Sequence, residues 1–431
     1  MAFKDSAKAF ATKFRLDSHH AIERFGIVSG VLGVSFILIF GGASISAVTN
    51  QTEQLSNTAL YTPSFTTSKT QLGGDVSGVY VNEDRTRSMV LMKFSSPDSV
   101  SANARNYQSF LTGSNRNLAE EALKSEVTGE VVVFGSTGYL AAVLESKQPF
   151  AQQILNLTLR ANSELVYKPG ETGKVRKDLQ GQDSFIENDQ WRVYVNPGAG
   201  EAEVSELLNG AEFDPGAVYA ELIVKPQEDE IRKKLDDQLG QMRADLARIA
   251  EYEADMRRVN VDGTFLVPPA KLEQISGDEV IGDVATDKKE STLELRTEWV
   301  SPSGFDFDWR GGSVREGYLD SLVPEGESYV TFLADKAAMS RERTGVSQLV
   351  NSMEWKLSND RFLDDYSSSD TAMKPLFDIR NGLAQAYQDY YSHKIDYQVK
   401  GYGELIDLEV ELRNVRSGAS VNDTADALFT Y

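Results

Sequence analysis

A chain of 431 residues, 41% hydrophobic and 25% charged, holds enough apolar material for two or three domains with real cores, which excludes disorder throughout. A net charge of −21 repels phosphate backbones and excludes nucleic acid as a partner. The chain has no cysteine and three histidines, of which only His393 lies beyond the N-terminal apolar segment. Disulfides, thiolate zinc sites and a cysteine nucleophile are thereby excluded, and a catalytic triad could draw on one imidazole alone.

Residues 1–24 form a basic head. Phe3, Ala7, Phe10 and Phe14 recur at helical spacing with Lys4, Lys8 and Lys13 beside them, which predicts a short amphipathic helix lying on membrane lipid. Residues 25–48 carry no charge, and thirteen of them are Phe, Ile, Leu or Val. As a helix this segment is about 36 Å long, against a hydrocarbon core of about 30 Å. It reads as an uncleaved transmembrane helix, with cleavage near Ser46 or Ala47 as the alternative. Basic residues precede it and the next one after it is Lys69, so the positive-inside rule places the N-terminus in the cytoplasm. The C-terminal bulk is then extracellular or periplasmic. Gly26 and Gly30 form a small-residue pair through which two such helices could approach. Residues 49–76 are rich in Ser and Thr and read as a spacer.

From residue 77 the pattern turns to strands. "GVYV" and "SMVLMKF" flank the polar "NEDRTR", "EVVVF" and "YLAAVL" flank "GSTG", and both pairs predict hairpins. "ILNLTLR", "WRVYV" and "VYAELIV" add further strands, and the segment 101–127 is expected to add a short helix. Residues 77–225 are accordingly expected to form an all-β sandwich, with an immunoglobulin-like arrangement among the options.

Pro226 is expected to open a coiled-coil-like helix over 226–260. Its stripe includes Leu235, Leu239, Met242, Leu246, Ile249 and Met256, candidates for a helix–helix interface that joins copies or partners. The same stripe would equally suit a helix packed on its own domain. An acidic connector, 261–290, leads to a predicted α+β domain over 291–416. That domain is read from a strand "TLELRTEWV", a helix "MKPLFDIRNGLAQAYQDYY" and a closing hairpin around "GYG". In the hairpin's last strand Ile406, Leu408, Val410 and Leu412 alternate with charged residues. Residues 417–431 read as a loose tail.

The segment "GFDFDWRGG" is the most site-like. Read as a strand, it puts Asp306 and Asp308 on one face and Trp309 with Phe305 and Phe307 on the other, a candidate ligand face for a glycan or peptide. Alternation alone gives the same pattern in any half-buried strand. No segment carries the spacing of a metal, cofactor or nucleotide site.

The fold class expected is a single-pass membrane protein carrying a β-sandwich, a long charged helix and a C-terminal α+β domain. The function expected is that of a bacterial cell-envelope scaffold or assembly subunit rather than an enzyme. It would act by protein–protein contact in a surface or secretion-type complex, with membrane lipid, envelope proteins and self-association as its contacts; conjugation scaffolds share that plan by analogy of architecture. A surface receptor or adhesin is the alternative, and a carboxylate-based wall hydrolase the third reading.

Overall fold

The structure is a computed structural model that describes residues 57–115, 118–161, 188–286, 289–340, 350, 353–368, 370–424 and 427–430. The strands before the first helix of the arm are β1 (Ser64–Thr66), β2 (Gly73–Val81), β3 (Arg87–Phe94), β4 (Tyr107–Ser114), β5 (Glu120–Glu121), β6 (Val127–Val133), β7 (Tyr139–Ser146), β8 (Ile154–Ala161), β9 (Gln190–Val195) and β10 (Glu203–Val204). Two more, β13 (Ser420–Asn422) and β14 (Leu428–Thr430), come from the far end of the chain. They build two sheets, one ordered β1-β2-β3-β7-β6-β13 and the other β14-β4-β8-β9. Pairing is antiparallel except for β10 on β2 and β14 on β4.

Alternation explains the smaller sheet. Leu155, Leu157 and Leu159 of β8 and Trp191, Val193 and Val195 of β9 turn inward, against Val81, Val90, Met92 and Phe94 of the larger sheet. Trp191 lies at the centre of this layer, with ring centroids 5.1 Å from Phe94, 5.7 Å from Phe65 and 6.2 Å from Tyr107. The larger sheet is covered on both faces. On its second face Met89, Leu91, Ala141 and Val143 pack against Val218 and Tyr219 of the helical region. Hence its central strands read as unbroken apolar runs rather than as alternation. The "GSTG" turn between β6 and β7 takes left-handed backbone at Gly135 and Gly138, which favours glycine there.

The rest of the chain is a helical arm. Asp214 starts it: its carboxylate accepts from the backbone N–H of Ala217 at 3.0 Å, and Pro215 occupies the first turn. Helix α1 (Pro215–Tyr219) runs through a π-helical turn, Ala220–Val224, into α2 (Lys225–Arg258). The rod from 215 to 258 is about 65 Å long. Pro226 therefore sits inside a helix, and the wider turn just before it absorbs the hydrogen bond that proline cannot make.

Between β11 (Glu279–Ile281), which pairs with β12 (Glu294–Arg296), and the return of the chain lie two short helices, α3 (Leu319–Leu322) and α4 (Tyr329–Ser340). Helix α5 (Lys374–Ile395) then runs back along α2, passes a second π-helical turn at Asp396–Gly401, and continues as α6 (Tyr402–Gly418) to the sandwich. Two glycines set the approach of these rods. A Cβ at Gly401 would come within 2.4 Å of Leu235, and one at Gly382 within 2.4 Å of the Tyr252 ring.

Several expectations are corrected by this arrangement. No helix among the described residues is long and apolar enough to cross a membrane, and the segment 25–48, with Gly26 and Gly30, lies outside them. The single-pass fold class and the cell-membrane localisation drawn from it are therefore not supported. The predicted strand 218–224 is helical, because Val218, Tyr219, Ile223 and Val224 bury one face of α1 and its π turn. The predicted C-terminal hairpin is also helical: Leu405, Leu408, Leu412 and Val415, at spacings of 3, 4 and 3, point inward from α6. Residues 291–416 thus hold β12, the short helices α3 and α4 and the return rod α5–α6, with α6 in place of the predicted hairpin. The tail supplies β13 and β14, and the second half of the spacer supplies β1 and the start of β2. In place of the expected helix over 101–127 stand a 3-10 turn at Ala104–Asn106 and the strands β4 and β5.

Candidate functional site

The aromatic-acidic segment is an anchor of the arm. Residues 304–309 are not a strand; Phe305 and Trp309 are buried, while Asp306 and Asp308 are exposed. The Trp309 indole N–H donates to the Tyr397 hydroxyl at 3.0 Å, and the Tyr402 hydroxyl lies 3.0 Å from the same oxygen. Arg310 stacks on the Trp309 ring at 4.2 Å, donates to the carbonyls of Ser291 and Leu293, and pairs with Asp236. Phe307 lies between Tyr318 and Tyr402, 4.5 and 4.6 Å away. Asp308 accepts from the backbone N–H groups of Arg310 and Gly311, a turn contact that needs no ligand. With Trp309 enclosed at 4% exposure, its ring is not open for a ligand to stack on.

The apolar stripe of α2 is likewise occupied. Leu235, Leu239, Met242, Ile249 and Met256 are buried and Leu246 is partly buried, all in the core shared with α5 and α6 of the same chain. The helix–helix interface read from the sequence is therefore filled intramolecularly.

Buried ions hold the wrapped loop to the rods. Glu409 of α6, 1% exposed, accepts from the backbone N–H of Tyr318 at 2.6 Å and of Leu319 at 3.0 Å, and pairs with Arg413. Glu228 of α2 accepts from Val314 N–H and from Arg232. Farther along, Lys394 and Asp278 are enclosed at 0% exposure and pair at 2.7 Å. The Lys394 ammonium also donates to the Gln274 carbonyl and the Thr297 hydroxyl, and Tyr390 donates to Asp278. Burial pushes the pKa of Lys394 down, with Asp278 opposing. The second oxygen of Asp278 has no hydrogen-bond partner. His393 pairs with Asp245 at 2.7 Å, and Arg248 bridges Asp245 and Asp389. No group of three or more His, Asp or Glu that could hold a metal ion occurs among the described residues.

An open concave surface lies along α6, between α2 on one side and α4 on the other. One hollow, about 280 Å³, lies between Gln227–Lys234 of α2 and Glu404–Glu411 of α6. A second, about 460 Å³, lies between Phe305, α4 and α6. The two share Asp407. The floor is apolar, made by Ile231, Leu408, Ile406 and Phe305. Helix α6 supplies the acids because Glu404, Asp407 and Glu411 follow one another at helical spacing. Desolvation by the groove, and then the neighbouring Glu404, raise the Asp407 carboxyl above its usual range. The strand-like alternation of Ile406, Leu408, Val410 and Leu412 hides these acids in the sequence, and their 404/407/411 spacing is the helical signal.

The chain matches no known protein family, no curated protein and no solved structure.

Proposed function

We propose that the protein is a scaffold or assembly subunit that acts by binding other proteins. The observation that supports this reading is the closure of the chain on itself. Helix α6 ends at Gly418 and runs directly into β13 and β14, which add to one sheet each, so the arm is fixed to the sandwich at both of its ends. An arm whose outgoing rod is about 65 Å long, rooted through α1 and again through α6 in a two-sheet base, holds surfaces at a set spacing, which is what an assembly subunit has to do.

The test is position-specific photo-crosslinking in cells producing the full chain, with the reactive residue placed at Glu404 in the groove, at Val330 on α4 and at Glu201 on the sandwich. A scaffold gives discrete protein adducts that differ by position. If none of the three positions gives an adduct and the purified chain is monomeric, the proposal fails.

A further inference from the structure

The groove between α2, α4 and α6 combines features that select a definite kind of partner. Its floor is apolar, and Gly403 opens onto it with nothing within 4 Å of where a Cβ would stand. The rim continues the apolar surface. Helix α4 reads "YVTFLADKAAMS", none of its described side chains is fully buried, and Val330 and Met339 are 61% and 48% exposed. That is a large apolar exposure for a helix with two charged residues.

The groove is also short of positive charge. Around the hollow against α2, Glu230, Glu404, Asp407 and Glu411 face one cation, Lys234, which lies 3.3 Å from Glu230 and 3.7 Å from Glu404. Glu411 is engaged by the Tyr219 hydroxyl, and Asp407 has no ion-pair partner among the described residues. At the other end Lys336 is turned away from the acids. Its ammonium donates to the carbonyls of Pro302 and Gly304, at 3.1 and 2.7 Å, and lies over the rings of Phe305 and Phe332. The acids are therefore left for charge supplied from outside.

Shape fixes the form of the occupant. The walls are helices, so no sheet edge is available to a strand, and a further helix packs in the way the existing ones do. From Val399 to Glu411 the wall is about 18 Å long, the length of about 12 helical residues.

We propose that this groove docks one amphipathic helix of a partner protein, about three turns long, apolar on its inward face and lined with Lys or Arg. The inference rests on the scaffold reading and names the partner's chemistry. The partner's apolar side chains cover Ile231, Leu408 and the exposed side of α4, and its cations meet Asp407 and Glu404.

The probe is a fluorescein-labelled Leu/Lys amphipathic peptide about 14 residues long, followed by anisotropy with the full chain. Its control is the same peptide with Glu in place of Lys. The Lys peptide is expected to bind and the Glu peptide not to. Gly403→Trp, which fills the hollow, and Asp407→Lys, which reverses the unpaired charge, are each expected to weaken binding at least about tenfold. Glu201→Lys, a remote acid on the sandwich, is expected to leave it unchanged. Circular dichroism checks the fold of each variant, and Asp407→Lys carries the test if Gly403→Trp does not fold. Equal binding of both peptides, or binding indifferent to both groove variants, overturns the proposal. So does concentration-dependent dimerisation that Gly403→Trp abolishes, which would assign the groove to a second copy. Crosslinks from Glu201 with none from Glu404 would leave the scaffold reading standing and remove this one.

Discussion

The sandwich and the arm hold themselves together by different means. The centre of the sandwich is apolar, with Val81, Val90, Met92, Leu157 and Val193 around Trp191 and Phe94, and one enclosed acid, Asp189, at its margin accepts from the backbone N–H groups of Lys69 and Thr70. The arm also has an apolar seam, but its loops are tied down by enclosed ions and hydroxyls: Glu228, Glu409, the Lys394–Asp278 pair and a set of buried tyrosines. Apolar packing tolerates imprecise partners, whereas a buried ion is stabilising only when each partner is in place. The sandwich should therefore respond to lost volume, and the arm to lost partners and to pH.

The largest separation is expected at alkaline pH. Burial raises the pKa of Tyr219, Tyr318, Tyr387, Tyr390, Tyr397 and Tyr402 in the arm, and of Tyr61, Tyr80 and Tyr107 in the sandwich. A folded pKa raised above the unfolded one means that stability is complete below pH about 10 and falls as pH rises further. Each such tyrosine then subtracts about 1.4 kcal/mol per pH unit. Lys394, lowered by burial, works in the opposite direction between its folded value and about 10.4, one group against many. The expected outcome is cooperative loss of helical circular dichroism coincident with the rise of tyrosinate absorbance, the sandwich signal from Trp191 following later. Tyrosinate appearing while the helices persist would contradict this.

Next comes a pair of substitutions that sharpens the contrast. Lys394→Met strands Asp278 and is expected to cost about 3–5 kcal/mol in urea unfolding, most of it recovered when Asp278→Leu is added. Leu157→Ala, at a fully buried sandwich position, is expected to cost about 2–5 kcal/mol with no such rescue. If Asp278→Leu fails to rescue, the lock is a matter of shape rather than charge. The smallest effect is expected where the rods touch: Gly382→Ala drives a Cβ into the Tyr252 ring and should cost about 1–3 kcal/mol, relieved by Tyr252→Leu. Equal melting of Gly382→Ala and the parent chain would show that the rods can separate there.

The same contrast explains what could be read in advance. Strands β2, β3, β6, β7, β8 and β9 lie where alternation, apolar runs and turn residues place them, because a sheet writes its period locally. In the arm two periods coincide. Ile406, Leu408, Val410 and Leu412 alternate, yet Leu405, Leu408, Leu412 and Val415 also recur at helical spacing, and only packing against α2 decides between them. Pro226 looked like a helix start because a π-helical turn that tolerates an interior proline leaves no mark in the sequence; Asp214 and Pro215 were the true signal. Trp309 looked available because its cover, Tyr397 and Arg310, is set by tertiary contact. The groove was hidden for the same reason, since its walls come from three separate parts of the chain.

The strands β13 and β14 have a kinetic consequence. β6 and β4 find these neighbours only across the whole arm in sequence, so the sandwich has a high contact order although most of its hairpins are local. Until the return helix has been laid down, both sheets present bare edges, and these are the places where a half-assembled molecule would recruit a foreign strand and aggregate.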